Sequence, residues 1–379
     1  MMDVYITSTG AFLPGPPIAV EEVEDVLGAV NGKPSSLRVQ IQKANKIQTR
    51  HYAIDKNQRT THSNTEMASN AALQCLDRAF LSRDRVGLLA VATTQGDHPA
   101  PGMASMVQAE LKLAELEILT THGICSSSMM AVKAAWNSLR LEEHEAALVV
   151  SSELASRLLK KQRYEAATAS TFAEKRIDFN TEFLRWMLSD GAGALLLQNK
   201  PAPKGVSLRI DWVRGFSHAH AFPTCMSVGS AGRVGDDRTW QDYTTYGEAE
   251  TAGALLLRQD VRLLDNILRM GVDGYLRLVE EGVSVPLKVD HFLCHYSSHH
   301  FRDKILDLLE AAGVGIPEER WWTNLYTRGN TGAASLFIML DEFLRTDEIE
   351  IEEGQTILCF VPESGRFNTT YMQLTVVKE

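Results

Sequence analysis

No stretch of the chain approaches the roughly 18 consecutive apolar residues that a membrane-spanning helix needs, so no transmembrane segment is expected. The opening MMDVYITSTG carries neither a basic leader nor an apolar signal core. It reads as a strand that starts at once, and no targeting segment is expected. Cysteine is scarce and poorly spaced for structural use: five in 379 residues, at 75, 125, 225, 294 and 359, with no CxxC pair. An odd number at wide spacing argues against a zinc ribbon or a disulfide framework, and a reducing, cytoplasmic setting is expected. Positive charge is in deficit, with 38 Lys and Arg against 48 Asp and Glu, a net charge of −10. Such a balance counts against a nucleic-acid partner. It leaves room for a local basic patch of the kind that would suit a phosphopantetheine or an acidic carrier protein.

What is present is an ordinary globular composition, 44% hydrophobic and 23% charged. Short runs rich in Val, Ile and Leu alternate with longer helical patterns, which predicts an α/β fold with strands buried on both faces. The order of elements occurs twice. DVYITSTGAFLP, VGLLAVATT, AALVVSSE and GAGALLLQ read as strands of the first copy, with helical patterns in TEMASNAALQCLDRAFL and GICSSSMMAVKAAWNSLR. SLRIDWVRGF, VDHFLCHYSS, QTILCFVPES and TYMQLTVV read as strands of the second, with a helix after GNTG. The helix near Cys125 then corresponds to the helix near Asn330, and the strand ending at Glu153 to the strand ending at Glu363. We expect two halves, 1–200 and 201–379, with the excess length in caps at 155–187 and 232–283.

Three residues stand where chemistry would be placed. Cys125 lies at a glycine turn (Gly123) leading into a helix marked by Met129, Val132, Ala135, Trp136 and Leu139. A helix N-terminus offers free N–H groups and partial positive charge, which favour the nucleophilic thiolate. The competing reading is a packed core cysteine, and the small polar neighbours Ser126, Ser127 and Ser128 argue against it. His295 ends an apolar strand, where a neutral ring can polarise a carbonyl or move a proton. It could also be a satisfied core histidine, or share a metal with His299 and His300, although Tyr296 stands where an HExxH motif needs glutamate. Asn330, between Gly329 and Gly332, could donate to an enolate or oxyanion, or simply cap a helix. If the repeat is real, all three converge.

These residues resemble the Cys–His–Asn triad of the ketoacyl synthase III type. KANKIQTRHYA is similar to that family's TGI-type segment, SDGAGALLL to its DGAGA strand, and GNTGAAS to its GNTSAAS motif. VPESGRF occupies the place of its C-terminal glycine loop, and CHYSS replaces the usual PHQAN. With FLPGPP and GKPSSLR, these departures resemble the ketosynthase/cyclases of dialkylresorcinol and bacterial stilbene biosynthesis.

The resemblance implies a thiolase fold, five-layered αβαβα, built from two pseudo-repeated halves and assembled as a homodimer. It implies a secondary-metabolic transferase acting on acyl carrier protein or coenzyme A thioesters, without metal or other cofactor. Cys125 would be acylated, and His295 and Asn330 would hold the second thioester. The N–H groups of Cys125 and Gly365 would form the oxyanion hole. Condensation with a β-ketoacyl thioester and ring closure to a cyclohexanedione would follow. Glu153 is a candidate for proton transfer during cyclisation, and Lys46 and Arg50 for carrier or pantetheine contact. Alternatives are an initiating synthase using a malonyl thioester, an acyltransferase to oxygen or nitrogen, a non-catalytic subunit, and a metallohydrolase built on His295 and His299.

Overall fold

Ten strands follow one another in a single hydrogen-bonded order in the computed structural model, which describes residues 2–168, 178–232 and 237–379. The first five are β1 (Tyr5–Phe12), β2 (Leu88–Thr93), β3 (Glu117–His122), β4 (Ala146–Glu153) and β5 (Gly191–Gln198). The second five are β6 (Val206–Ser217), β7 (His291–Cys294), β8 (Trp321–Trp322), β9 (Thr356–Glu363) and β10 (Asn368–Lys378). Their spatial order is β8-β7-β9-β10-β6-β1-β5-β4-β2-β3. Read outward from the centre, the two halves have the same order. In each, the first three strands of the outer run are parallel and the next two join antiparallel. The halves meet where β1 pairs with β6 at Tyr5↔Arg209 and Ile6↔Leu208 alone.

The hydrophobic clusters define the layers. Outside the first half lie α1 (Asn64–Asp77) and α2 (Met103–Leu111), packed on outward-facing Leu89, Val91, Leu148 and Val150. Between the halves lie α3 (Ser127–Arg140) and α6 (Ser335–Phe343), which share one cluster with side chains of both sheets, Val149 and Val361 among them. Outside the second half lie α4 (Leu264–Glu280) and α5 (His299–Ala311). This is the five-layered αβαβα arrangement. Strands covered on both faces show no polar alternation, and β2 and β4 are buried at every position.

Local sequence explains the tightest fits. A Cβ at Gly193 would stand 2.5 Å from the Phe337 Cβ, so the second glycine of GAGA lets α6 approach β5 closely. Asp190, just before β5, accepts from the backbone N–H of Ala53 (2.7 Å) and of Ser156 (2.8 Å), tying the early segment and the start of the cap to the sheet. Parts of both expected caps, 169–177 and 233–236, lie outside the described residues.

Candidate active site

Cys125 sits two residues before α3, 7% exposed, on the wall of a cavity with about 910 Å³ of empty volume, its open mouth included. Asn330, Glu153 and Thr94 share that wall. The rest is largely apolar, with Leu154, Leu158 and Leu184 on one side and Leu264, Ile267 and Leu268 of α4 on another.

The helix start is expected to favour thiolate at Cys125, and the surroundings act in the opposite direction. Burial pushes the thiol well above its ordinary range, and the carboxylates of Glu363 and Glu153 push it further in the same direction. The helix start acts in the opposite direction, and burial outweighs it. Burial and the two carboxyl groups thus both favour the thiol form of Cys125.

Glu153 ends β4. Its Oε1 accepts from the Thr94 N–H (2.9 Å), the Thr94 hydroxyl (2.7 Å) and the Ala333 N–H (3.4 Å), the last at the turn entering α6. Burial outweighs these bonds and raises the carboxyl to about 7. Gly332, at φ +56°, makes the approach possible, since a Cβ there would stand 3.0 Å from the Glu153 Cγ. Glu363 ends β9 at the corresponding place in the second half. Its Oε2 accepts from the Ser126 N–H (3.1 Å) and the Ser126 hydroxyl (2.5 Å), at the turn entering α3. Asn368 donates to the same hydroxyl at 2.7 Å. Each strand-end carboxylate thus reaches across and holds the start of the other half's central helix.

Asn330 is held by its backbone, which donates to Met187 (3.0 Å) and accepts from Ser189 (2.8 Å). Its Oδ1 accepts from the Gly332 N–H at 2.9 Å, which leaves the amide nitrogen as the end able to donate. The regular helix begins only at Ser335, so Asn330 is not the N-cap of α6.

His295 follows β7 and is buried, and burial lowers its ring to about 4, so it is neutral near pH 7. Its Nε2 is enclosed and has no hydrogen-bond partner. The ring lines a smaller cavity with Thr323 and Ser335, and Tyr296 and Ser297 line both that cavity and the larger one. Ser297 adopts φ +55°, a left-handed conformation uncommon for serine, where the chain leaves β7. Cys125, Asn330 and Glu153 therefore meet at one cavity, and His295 stands at the adjoining one.

The remaining candidates fall in different places. Gly365 accepts from the Cys225 and Met226 N–H groups at 3.0 and 3.3 Å, and a Cβ there would stand 3.1 Å from the Ile124 side chain. It packs beside the Cys125 turn, while its neighbour Ser364 lines the cavity. Lys46 is exposed, with its ammonium 2.5 Å from the His299 Nε2, and His299 Nδ1 is 2.6 Å from the Tyr326 hydroxyl. Arg50 cannot serve as a surface contact. It is 0% exposed, no guanidinium nitrogen has a hydrogen-bond partner, and a Cβ at Gly329 would stand 3.2 Å from the Arg50 Cβ, so the segment around Gly329 packs on it. Among the described residues no group of three or more His, Cys, Asp or Glu is placed to hold a metal. Sequence reasoning missed Thr94 and the clamp formed by Glu363. The matched strand ends at Glu153 and Glu363 were the available signal.

Residues 90–202 match a family model described as the β-ketoacyl synthase N-terminal domain, and residues 283–365 match one described as the C-terminal part of 3-oxoacyl-[acyl-carrier-protein] synthase III. The chain is 23% identical over 300 residues to β-ketoacyl-[acyl-carrier-protein] synthase III of Streptococcus uberis, covering 79% of this chain and 80% of that one. Among solved structures, AbyA1, a tetronic acid condensing enzyme, superposes with a TM-score of 0.75 at 18% identity, covering 98% of this chain and 99% of that one. Xanthomonas campestris OleA with bound lauric acid and lauroyl-CoA superposes with a TM-score of 0.74 at 17% identity and the same coverage. At such identities the structures establish the fold.

Proposed function

We propose that this chain, a ketosynthase III-type acyl-transferring enzyme of the thiolase fold, joins an acyl group carried on Cys125 to a β-ketoacyl thioester and closes the product to a cyclohexanedione. In the first half-reaction the Cys125 sulfur attacks the donor carbonyl, and the donor's thiol leaves with the cysteine proton. In the second, the α-carbon of the β-ketoacyl thioester loses a proton and attacks the Cys125-bound carbonyl, and the cysteine sulfur leaves and regains a proton. Ring closure requires an α,β-unsaturated acyl group: the γ-carbon of the β-ketoacyl unit loses a proton and adds to the acyl β-carbon, and the acyl α-carbon takes up a proton. The Asn330 amide donates to the enolate oxygen, and the neutral His295 ring supports the same thioester. The N–H groups of Cys125 and Gly365 receive the tetrahedral oxyanion.

The observation that carries this reading is Glu153 on the cavity wall beside Cys125, with a carboxyl raised to about 7. A malonyl thioester makes its carbanion by losing carbon dioxide and needs no base. A β-ketoacyl thioester must be deprotonated, and a carboxylate with a pKa near the working pH suits that step. The apolar cavity suits a hydrocarbon acyl group, the class of ligand bound in the OleA complex. Lys46, exposed beside the entrance to α5, is a candidate contact for the carrier or pantetheine.

The competing reading is an initiating synthase, the activity for which the Streptococcus relative is named. Incubation with an α,β-unsaturated fatty acyl thioester and either a β-ketoacyl or a malonyl thioester, followed by product mass spectrometry, separates the two. We expect a cyclised product from the β-ketoacyl pair. A linear product formed only with malonyl thioester, with release of carbon dioxide, would replace our reading with the competing one. Ester or amide products would assign acyl transfer to oxygen or nitrogen.

The functional unit we propose is a homodimer. The supporting feature is β3, the edge strand of the first half, whose outer backbone groups offer a template for another strand. Its residues are mostly exposed, and Ile118 is 42% exposed. A second copy pairing β3 with β3 would cover them. Light scattering at micromolar concentration is expected to give twice the chain mass, and a single-chain mass there would refute the dimer.

A further inference from the structure

We infer that Glu363 is a positioning residue for the nucleophile: its carboxylate pins the Cys125 turn through Ser126 and shapes the electrostatic surroundings of the thiol. This rests on Cys125 being the nucleophile and goes beyond the reaction proposed above. Glu363 is 8% exposed and lies at the end of β9, and the cavity is lined by its neighbours Pro362 and Ser364. It is therefore placed to act on Cys125 and not on substrate. The geometry is tight. Oε2 takes both the N–H and the hydroxyl of Ser126, the residue directly after Cys125. A Cβ at Gly365 would come within 2.8 Å of Oε1, so the glycine leaves the carboxylate its place. The VPESGRF segment, where the resembling family carries a glycine loop, supplies both residues.

The clamp has a chemical consequence. The charged groups acting on the Cys125 thiol are Glu363 from β9 and Glu153 from β4, and both disfavour thiolate. His295, just past β7, is neutral near pH 7 and supplies no compensating charge. These surroundings thus favour the thiol form of Cys125. Glu363 also gives a reason for the helix start to hold its geometry while an acyl group is attached and removed, since Ser126 cannot rotate without breaking two charge-assisted bonds.

The test is iodoacetamide alkylation of the full-length protein, followed at the Cys125 peptide by mass spectrometry across a pH series. Glu363→Gln keeps an oxygen for Ser126 and removes the charge. We expect its alkylation at about pH 8 to be about three- to ten-fold faster than wild type. A like charge removed nearby lowers a thiol pKa by about one to two, and the lower basicity gives back roughly half of the gain in thiolate. Glu363→Asp keeps the charge but withdraws it from Ser126. It should leave the pH dependence near that of wild type and slow acyl transfer from a thioester. Thermal midpoints of both variants check that the fold persists. Superimposable alkylation profiles for wild type and Glu363→Gln would overturn the inference. The alkylation readout needs no acyl substrate, so it stands or falls apart from the proposed reaction.

Discussion

Cys125→Ala is expected to abolish acyl-enzyme formation and to lower turnover by about a thousand-fold or more. In intact-protein mass spectrometry, wild type incubated with its acyl thioester should gain the mass of the acyl group, and the variant should gain none. The effect is large because the covalent intermediate has no other attachment point. The other four cysteines are 0–3% exposed, and only Cys125 faces the large cavity. The fold should tolerate the change. The lost sulfur borders an existing cavity, so the stability cost should stay within about 1 kcal/mol. A persistent adduct in the variant would move the nucleophile elsewhere and sink the mechanism.

Glu153→Gln should separate the two half-reactions. The glutamine oxygen can still accept from Thr94 and Ala333, so the helix start is preserved, but the proton acceptor is gone. Condensation with a β-ketoacyl thioester should fall by about 10²–10⁴-fold, with acylation of Cys125 retained. Equal loss of both steps would mean that Glu153 holds the site together and does not move the proton.

The same variant has a signature in stability. The folded protein raises the Glu153 carboxyl from 4.5 to about 7. The native state therefore keeps a proton that the unfolded chain has released, and stability falls as pH rises from about 4.5 through 7. Glutamine does not titrate. The variant should match wild type near pH 4.5 and exceed it by up to about 3 kcal/mol above pH 7, read as a thermal midpoint several degrees higher. Asp190, raised to about 6 by burial, adds the same trend to both proteins and cancels in the comparison. A pH-independent difference between the two would refute the buried titration.

Local pattern was enough for eight of the ten strands, for the doubled order of elements and for the turns bearing Cys125 and Asn330, but not for the edge strands β3, mostly exposed, and β8, two residues long. Those features depend on glycine placement and apolar periodicity, which are written in neighbouring residues. The electrostatics of the site are not. Ser126 and Glu363 are 237 positions apart, and nothing near Cys125 in sequence announces a carboxylate behind it. Thr94 and Glu153 are 59 apart, joined only because β2 and β4 lie side by side. Arg50 looked like a surface cation for the same reason, since an arginine among lysines and glutamines reads as solvated until the covering segments are placed.

The surroundings that disfavour thiolate at Cys125 also bear on oxidative stress. Peroxide reacts with thiolate, and a sulfur kept protonated by burial and two carboxylates offers little of it. Cys125 is therefore expected to form sulfenic acid slowly between turnovers, read as slow peroxide-dependent mass gain at its peptide. Electrostatics that make the cysteine slow to ionise extend its lifetime in the resting protein.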